Sequence, residues 1–415
     1  MTPETSFQQP RWFDLQYVTT VMNKYTGDQL QEIKSFSLTP ATVKGENYFS
    51  VLYSLRVEYA LKTASNQTQL AAFIVKSKLE NELMAQLEDD FDIYQREKQY
   101  YAVISEEFEK LLNSVNDKFF LQPRVNYIDD RVIVMENLKL KGYNIKDIRE
   151  GLDLNQCHLV IQKLAKFHAL SMVLYKKDPD IFRYHLSANI SENPSPLHDM
   201  YKKTILSTIE YCENSNELKQ YVSKLKSFSE QIINKMIGVY SRNLEDRLLV
   251  LNHGDLWINN IMFNNTKDNE DVLFIDFQEG FYGSPGIDWN YFIFSSWQLE
   301  VFQHHFEDLI MVYQLILTNF LRKFNYQGRI PNEEDIKLEI LSKGSHGLAT
   351  ATCILPILIN EHSELTDPED FITDTEEAIN KRRIIFTLVM MCTGLIPIDI
   401  EKNRNIGDGN YDDSE

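Results

Sequence analysis

Leu249 to Gln278 reads LVLNHGDLWINNIMFNNTKDNEDVLFIDFQ, and the reading of this stretch decides the fold. Two apolar runs frame it, Leu248-Leu249-Val250-Leu251 and Val272-Leu273-Phe274-Ile275. Both are short and bounded by polar or turn residues, as buried strands are. His253-Gly254-Asp255 and Asn259-Asn260 lie between them, and Asp276 closes the second run. Asp255 and Asn260 are five apart on one loop, and Asp276 follows Asp255 by 21 positions. A carboxylate on a loop can orient an attacking hydroxyl and accept its proton. An Asn amide oxygen and a second carboxylate are hard oxygen ligands of the kind Mg²⁺ takes. The order Asp, four residues, Asn, then an Asp closing an apolar strand is that of kinase catalytic and metal-binding loops. It predicts Asp255 as the base, Asn260 and Asp276 as metal ligands, and ATP with Mg²⁺ as cofactors. Taken singly, an Asp after an apolar run is a turn residue and His-Gly-Asp is a common tripeptide. The ordered set carries the reading.

HGDLWINNIMF followed by FIDFQ and YGSPGIDWNYF resembles the insect ecdysteroid kinase-like family. That family resembles the aminoglycoside and choline phosphotransferases, which share the protein-kinase fold. The second loop is Asp276-Phe277-Gln278 rather than Asp-Phe-Gly, and no Ala-Pro-Glu follows it, so a small-molecule kinase fits better than a protein kinase. The resemblance implies an α+β, protein-kinase-like bilobal fold. Its N-lobe, 1–137, carries an antiparallel sheet plus helix and ends in the linker. Its larger, mainly helical C-lobe spans 138–404, and an acidic tail, 405–415, is expected to be disordered.

Composition sets wider bounds. A chain of 415 residues has room for a large core and two lobes, and 43% hydrophobic with 25% charged residues is ordinary for a globular protein. A net charge of −19 argues against nucleic acid or anionic membrane surfaces as main partners. Any phosphate site must therefore be compensated locally. Cys157, Cys212, Cys353 and Cys392 are scattered without a C-x-x-C pair, which points to reduced thiols and a cytoplasmic location. MTPETSFQQPRWF has no basic and then apolar segment, so no signal peptide is read. The longest nearly apolar run, Ile384 to Ile398, is short for a membrane span and is expected to be a buried helix. A monomer is expected.

Toward the N-terminus, residues 13–35 read as a leading helix. SFSLTPATV, NYFSVLYSLRVEYAL and LAAFIVKS then read as strands of an antiparallel sheet. Gly45-Glu46-Asn47-Tyr48-Phe49-Ser50 stands where kinases carry a glycine-rich loop and resembles the family's GxNYxS segment, with Asn47 and Ser50 the residues expected at the nucleotide. Without the downstream motifs it is an ordinary hairpin turn. Lys76 ends the run Ala71 to Val75. A Lys there is commonly just solvated, but in the kinase arrangement it contacts phosphates and is held by a Glu of the next helix. The segment 81–104 reads as that helix. Tyr94-Gln95-Arg96-Glu97 matches the family's pattern with Tyr for the leading Phe, so the resemblance selects Glu97 over Glu88, Asp89, Asp90 and Asp92. Residues 119–127 and 131–135 read as two more strands. The segment 132–138 resembles the interlobe linker, with backbone groups at Glu136 and Leu138 expected at the adenine edge.

Further along, 154–174 reads as an amphipathic helix, with His168 in LAKFHALS as a hydrogen-bonded core residue. Asn193-Pro194-Ser195-Pro196 reads as a bend, and 205–214 and 218–240 as helices of a substrate-side insert. Asp288, which by position alone is a helix N-cap, is read as structural, since the family implies that it supports the catalytic loop. His253 is read as bracing that loop, and Trp257 as facing substrate or packing in the core. Residues 300–399 read as helical. The expected activity is phosphorylation of a hydroxyl on a small organic molecule. The resemblance points to an ecdysteroid, another steroid or a hydroxylated xenobiotic undergoing detoxification. The alternative is a catalytically silent kinase-fold protein that binds a hormone-like ligand.

Overall fold

Asp14 starts the first helix by accepting the Tyr17 N–H at 2.8 Å, and α1 runs Leu15–Thr26. It stops at Gly27, which adopts φ 59°. The leading helix is thus shorter than the 13–35 expected. From Leu30 the chain is already strand, and irregularities in its register between Leu30 and Glu32 and between Ile33 and Ser35 space its inward residues Leu30, Ile33 and Phe36 three apart rather than two. The structure is a computed structural model that describes residues 9–41, 50–63, 67–78, 92–216, 218–242, 248–266 and 269–356. The 42–49 loop with Asn47, the carboxylates Glu88 to Asp90, Cys392, the 384–398 run and the acidic tail lie outside the described residues.

Two compact units divide the chain. The first takes Met1–Lys146, Val173–Ser187 and Asn259–Gly280, and the second takes Asp147–Met172, Ala188–Ile258 and Phe281–Glu415.

In the first unit β1 (Leu30–Pro40), β2 (Ser50–Leu61), β3 (Gln69–Lys78), β4 (Val125–Ile128) and β5 (Val132–Glu136) form one antiparallel sheet in the order β1-β2-β3-β5-β4. Val18, Val21 and Met22 of α1 share a core with Leu55, Val57, Phe73, Val75, Val132 and Val134. Between β3 and β4 run α2 (Ile93–Gln99), a π-helical turn (Tyr100–Ile104) and α3 (Ser105–Ser114). The helix expected to end at Ile104 therefore continues for ten residues past a π turn. Residues 119–124, expected as strand, are not one. Pro123 has no N–H to give a ladder, and the Leu121 carbonyl instead accepts the Phe274 N–H at 2.8 Å. This sheet with its helix between β3 and β4 is the protein-kinase-like arrangement expected of the N-terminal part. A second sheet joins β6 (Tyr143–Asn144), β8 (Ile261–Thr266) and β9 (Asn269–Phe274). β9 holds most of the second apolar run, as expected, and it pairs with β8, for which the sequence had suggested no strand.

The second unit is mainly helical. It contains most of α4 (Leu154–Lys177), then α5 (Pro196–Asn214), α6 (Val222–Val239), α7 (Gly286–Ser296), α8 (Leu299–Lys323), α9 (Glu333–Ser342) and α10 (Gly344–Ala349). The Asn193–Pro196 bend is a helix start. Pro196 takes the first helical position, and the Ser195 N–H donates to His198 Nδ1 at 3.2 Å. A short antiparallel pair, β7 (Val250–Asn252) with β10 (Phe281–Gly283), carries the His253-Gly254-Asp255 segment at its end. Among the described residues no helix is long and apolar enough to cross a membrane, and Cys157, Cys212 and Cys353 are free and buried.

Candidate active site

The side chains of β3 alternate, so Ala71, Phe73 and Val75 join the core beneath α1 and Lys76 turns to the opposite face. There Lys76 Nζ lies 2.7 Å from Glu97 Oε2 and 2.6 Å from Asp276 Oδ1, with its side chain 7% exposed. Burial alone would lower the Lys76 ammonium. The carboxylates of Asp276 and Glu97 outweigh it and hold the group protonated, above its usual range. Gln278 Oε1 is a further acceptor at 3.4 Å. The sequence singled out Gln278 only as a departure from Asp-Phe-Gly.

Asp276 adopts φ 68°, a left-handed conformation that turns the chain sharply after β9. Next to it Phe277 stacks on Tyr100 at 3.7 Å between ring centroids, with Tyr101 edge-on at 5.8 Å. The π turn puts both tyrosines against the Asp276 loop, so α2 and that loop are joined by packing as well as by Lys76. The Ile275 N–H donates to the Asn260 carbonyl at 3.0 Å, which sets Asn260 beside Asp276 along the chain. An amide and a carboxylate oxygen are hard donors. One or two carboxylates with phosphate and water oxygens is a usual Mg²⁺ set, so the residues present fit that ion. Among the described residues no cluster of three or more His, Cys, Asp or Glu forms a self-sufficient metal cage.

The remaining nucleotide-side candidates occupy separate places. Ser50 opens β2 and pairs with Lys78. Leu138 is buried with Tyr143, Met262 and Leu273, against which Ile275 packs. Its side chain is thus committed to an apolar floor, and only its backbone is available for recognition. Its N–H is the first of a 3₁₀ turn, a position with no partner inside the turn. Glu136 ends β5: its N–H donates to Arg124 O at 2.9 Å, and its carboxylate accepts the Arg124 N–H and pairs with Lys141.

In the second unit Asp255 is half-buried just past β7. The loop that carries it is held by Asp288, which is fully buried on the first turn of α7. Asp288 Oδ2 accepts the His253 N–H at 2.8 Å and Oδ1 accepts the Gly254 N–H at 2.9 Å. Gly254 sits at φ 84°, where a side chain would strain the backbone. Asp288 thus supports the Asp255 loop, the structural role expected of it, rather than capping the helix. Pro285 takes the cap position. Asp288 Oδ2 also lies 3.1 Å from His168 Nε2, and Tyr313 Oη lies 2.6 Å from His168 Nδ1. Burial lowers the His168 pKa against the pull of Asp288, so the ring is neutral. A neutral ring donates from Nε2 to the carboxylate and accepts the Tyr313 hydroxyl at Nδ1. His253 is fully buried, and the Asp255 N–H lies 3.4 Å from its Nδ1, the bracing role expected. Trp257 is half-buried.

Sequence reasoning missed Tyr291. It stands three positions after Asp288 on α7, one helical turn along the same face. Its hydroxyl hydrogen-bonds to the Asp255 carboxylate. Burial, followed by the Asp255 charge, pushes the phenol pKa well up, so it remains a donor. One helix thus supplies both the support of the loop and a donor to its carboxylate. The cue available was the aromatic run after Asp288.

Known proteins were compared with the chain. Among solved structures it is similar to an ethanolamine kinase of Plasmodium vivax, at 14% identity over 92% of this chain and 89% of that one, with a TM-score of 0.41. It is also similar to a microcompartment-associated aminopropanol kinase (9% identity, 91% and 98% covered, TM-score 0.40). A third is an aminoglycoside phosphotransferase from Alicyclobacillus acidocaldarius (11% identity, 94% and 98% covered, TM-score 0.35). No curated protein matches the chain. A family match covers residues 44–326, well over half of the sequence, and by that match the chain belongs to the ecdysteroid kinase-like family.

Proposed function

We propose that the chain is an ATP- and Mg²⁺-dependent kinase that phosphorylates a hydroxyl of an ecdysteroid, another steroid or a hydroxylated xenobiotic. The observation that carries this reading is Lys76, a buried cation 2.7 Å from Glu97 and 2.6 Å from Asp276. A charged amine costs several kcal/mol to bury and is retained where it has a task. Here that task is to bind the phosphates of the nucleotide. Asn260 and Asp276 would hold Mg²⁺, which when bound neutralises charge on the phosphates. The carboxylate of Asp255 accepts the proton of the acceptor hydroxyl as the new O–P bond forms and the terminal phosphate leaves the nucleotide. Tyr291 orients that carboxylate, and Asp288 keeps its loop in place through His253 and Gly254. Action as a monomer in the cytoplasm is part of this proposal.

The test is phosphotransfer followed by mass spectrometry, with ATP, Mg²⁺ and a panel of ecdysteroids and plant hydroxylated compounds. A gain of one phosphoryl group that vanishes in Asp255→Asn, while ATP binding persists, is the expected result. Unimpaired transfer by Asp255→Asn would remove the mechanism. Absence of both transfer and nucleotide binding would favour a silent binding protein.

A further inference from the structure

His346 on α10 is 2% exposed, and neither of its ring nitrogens has a hydrogen-bond partner among the described residues. A buried imidazole with both nitrogens unmet is unfavourable, and native proteins keep such groups where something else meets them. The ring has defined neighbours. It lies 5.5 Å from the Tyr291 ring at 32° and 5.7 Å from the Tyr240 ring at 69°. Tyr291 is the residue that hydrogen-bonds to Asp255, so a single side chain separates His346 from the proposed base. The placement is firm. A Cβ on Gly347 would come within 2.4 Å of Phe294 and 2.8 Å of Asn290 Oδ1, so α10 approaches α7 as closely as its glycine allows.

Burial, against Asp288 and with Lys343, brings the imidazole down to about 4, so the ring is neutral and offers one donor and one acceptor. Asp288 is itself taken up by His168, His253 and Gly254. A second buried histidine with unmet nitrogens, His185, differs in its surroundings. A Cβ on Gly280 would meet its ring at 2.8 Å, and the charged group acting on it is the Arg96 guanidinium.

We propose that His346 is an acceptor-recognition residue: it hydrogen-bonds a second oxygen of an uncharged, ring-containing substrate whose reactive hydroxyl is held at Asp255. The assignment rests on the kinase reading for the word acceptor. The rings nearest it, Tyr240 and Tyr291, are uncharged, and Asp288, the carboxylate that acts on it, is met by His168, His253 and Gly254, which suits an apolar ring system bearing hydroxyl or carbonyl oxygens. Tyr240 and Tyr291 contribute ring faces, and His346 contributes the directional bond.

The test compares wild type, His346→Phe and His346→Gln in the full chain. Ecdysone binding is measured by calorimetry without nucleotide, and thermal stability is measured without any ligand. His346→Phe is expected to bind ecdysone at least about tenfold more weakly, the loss of one well-placed hydrogen bond, while ATP affinity is unchanged. His346→Gln, which keeps a donor and an acceptor, is expected to recover most of that affinity. His346→Phe is also expected to melt no lower than wild type, because the imidazole has no hydrogen-bond partner to lose among the described residues. Equal ecdysone binding by wild type and His346→Phe, or a clear fall in the melting temperature of His346→Phe, would overturn the proposal. Phosphotransfer that is indifferent to His346 would leave the kinase reading standing without it. His346-dependent binding without transfer would leave the oxygen-recognition site and remove the kinase reading.

Discussion

The carboxylate of Asp288 accepts the backbone N–H of His253 at 2.8 Å, two positions before Asp255. A side chain on a helix thereby sets the conformation of a loop 35 positions earlier in the chain. The same carboxylate takes the Gly254 N–H and faces the neutral His168 ring, so one buried charge is met by three donors. Such a charge is tolerated because its hydrogen bonds are complete.

Asp288→Asn exchanges one acceptor oxygen for an amide donor, which then faces an N–H group. Each buried group left unmet costs about 1–3 kcal/mol, so the variant is expected to be destabilised by that order. Turnover is expected to fall by about a hundredfold with ATP affinity retained, the signature of a displaced Asp255. Denaturation curves and steady-state kinetics check both.

Lys76→Met leaves the buried Glu97 without its cation, and removing one member of a buried pair costs about 3–5 kcal/mol. The double variant Lys76→Met, Glu97→Leu is expected to regain most of that stability without regaining turnover. A thermodynamic cycle over the four proteins separates the structural from the chemical part.

Asp276→Asn and Asn260→Ala each remove a hard oxygen from the metal-side set. The Mg²⁺ concentration for half-maximal transfer is expected to rise by about tenfold or more in each, with smaller effects at saturating metal. A Mg²⁺ titration of the rate reads this directly.

Tyr291→Phe removes the hydroxyl that donates to Asp255. A donor stabilises the charged carboxylate, so its loss raises the carboxylate pKa and shifts the acid limb of the kcat/KM profile to higher pH. The fold should be unaffected, since the ring remains. An unchanged pH profile would argue against the contact.

Acid should weaken the fold through the buried histidines. Burial brings His346 to about 4 and His185 to about 3, and lowers His168, all below the ordinary value near 6.5. An unfolded chain binds protons at these rings first. Stability is therefore full above about pH 6.5 and declines as the pH falls toward 4 and below. His346→Phe should flatten part of that decline, measured as melting temperature against pH.

Short-range features were open to reading from residue order. The ordered set Asp255, Asn260 and Asp276, the alternation of β3 and the apolar faces of α1 and α4 depend on spacing along one segment, and spacing is written in the sequence. Element ends were less open. The first helix stops at Gly27 because the chain turns into a strand that the rest of the sheet captures, and the helix expected to end at Ile104 passes through a π turn to Ser114.

Partners far apart in the chain lay beyond local pattern. Lys76 meets Asp276 across 200 positions, and nothing near either residue announces the distance between them. Local pattern makes Asp288 a helix cap, its supporting role came from the resemblance alone, and the fold shows the His253 and Gly254 N–H groups it holds. Tyr291 and His346 look like core aromatics in sequence, and only packing shows one donating to Asp255 and the other buried with its nitrogens unmet. The identity of the chemistry thus lies in residue type and spacing, which are properties of the chain. The pairing and protonation of those residues depend on burial and on which distant groups share the low-dielectric interior, which only chain closure decides.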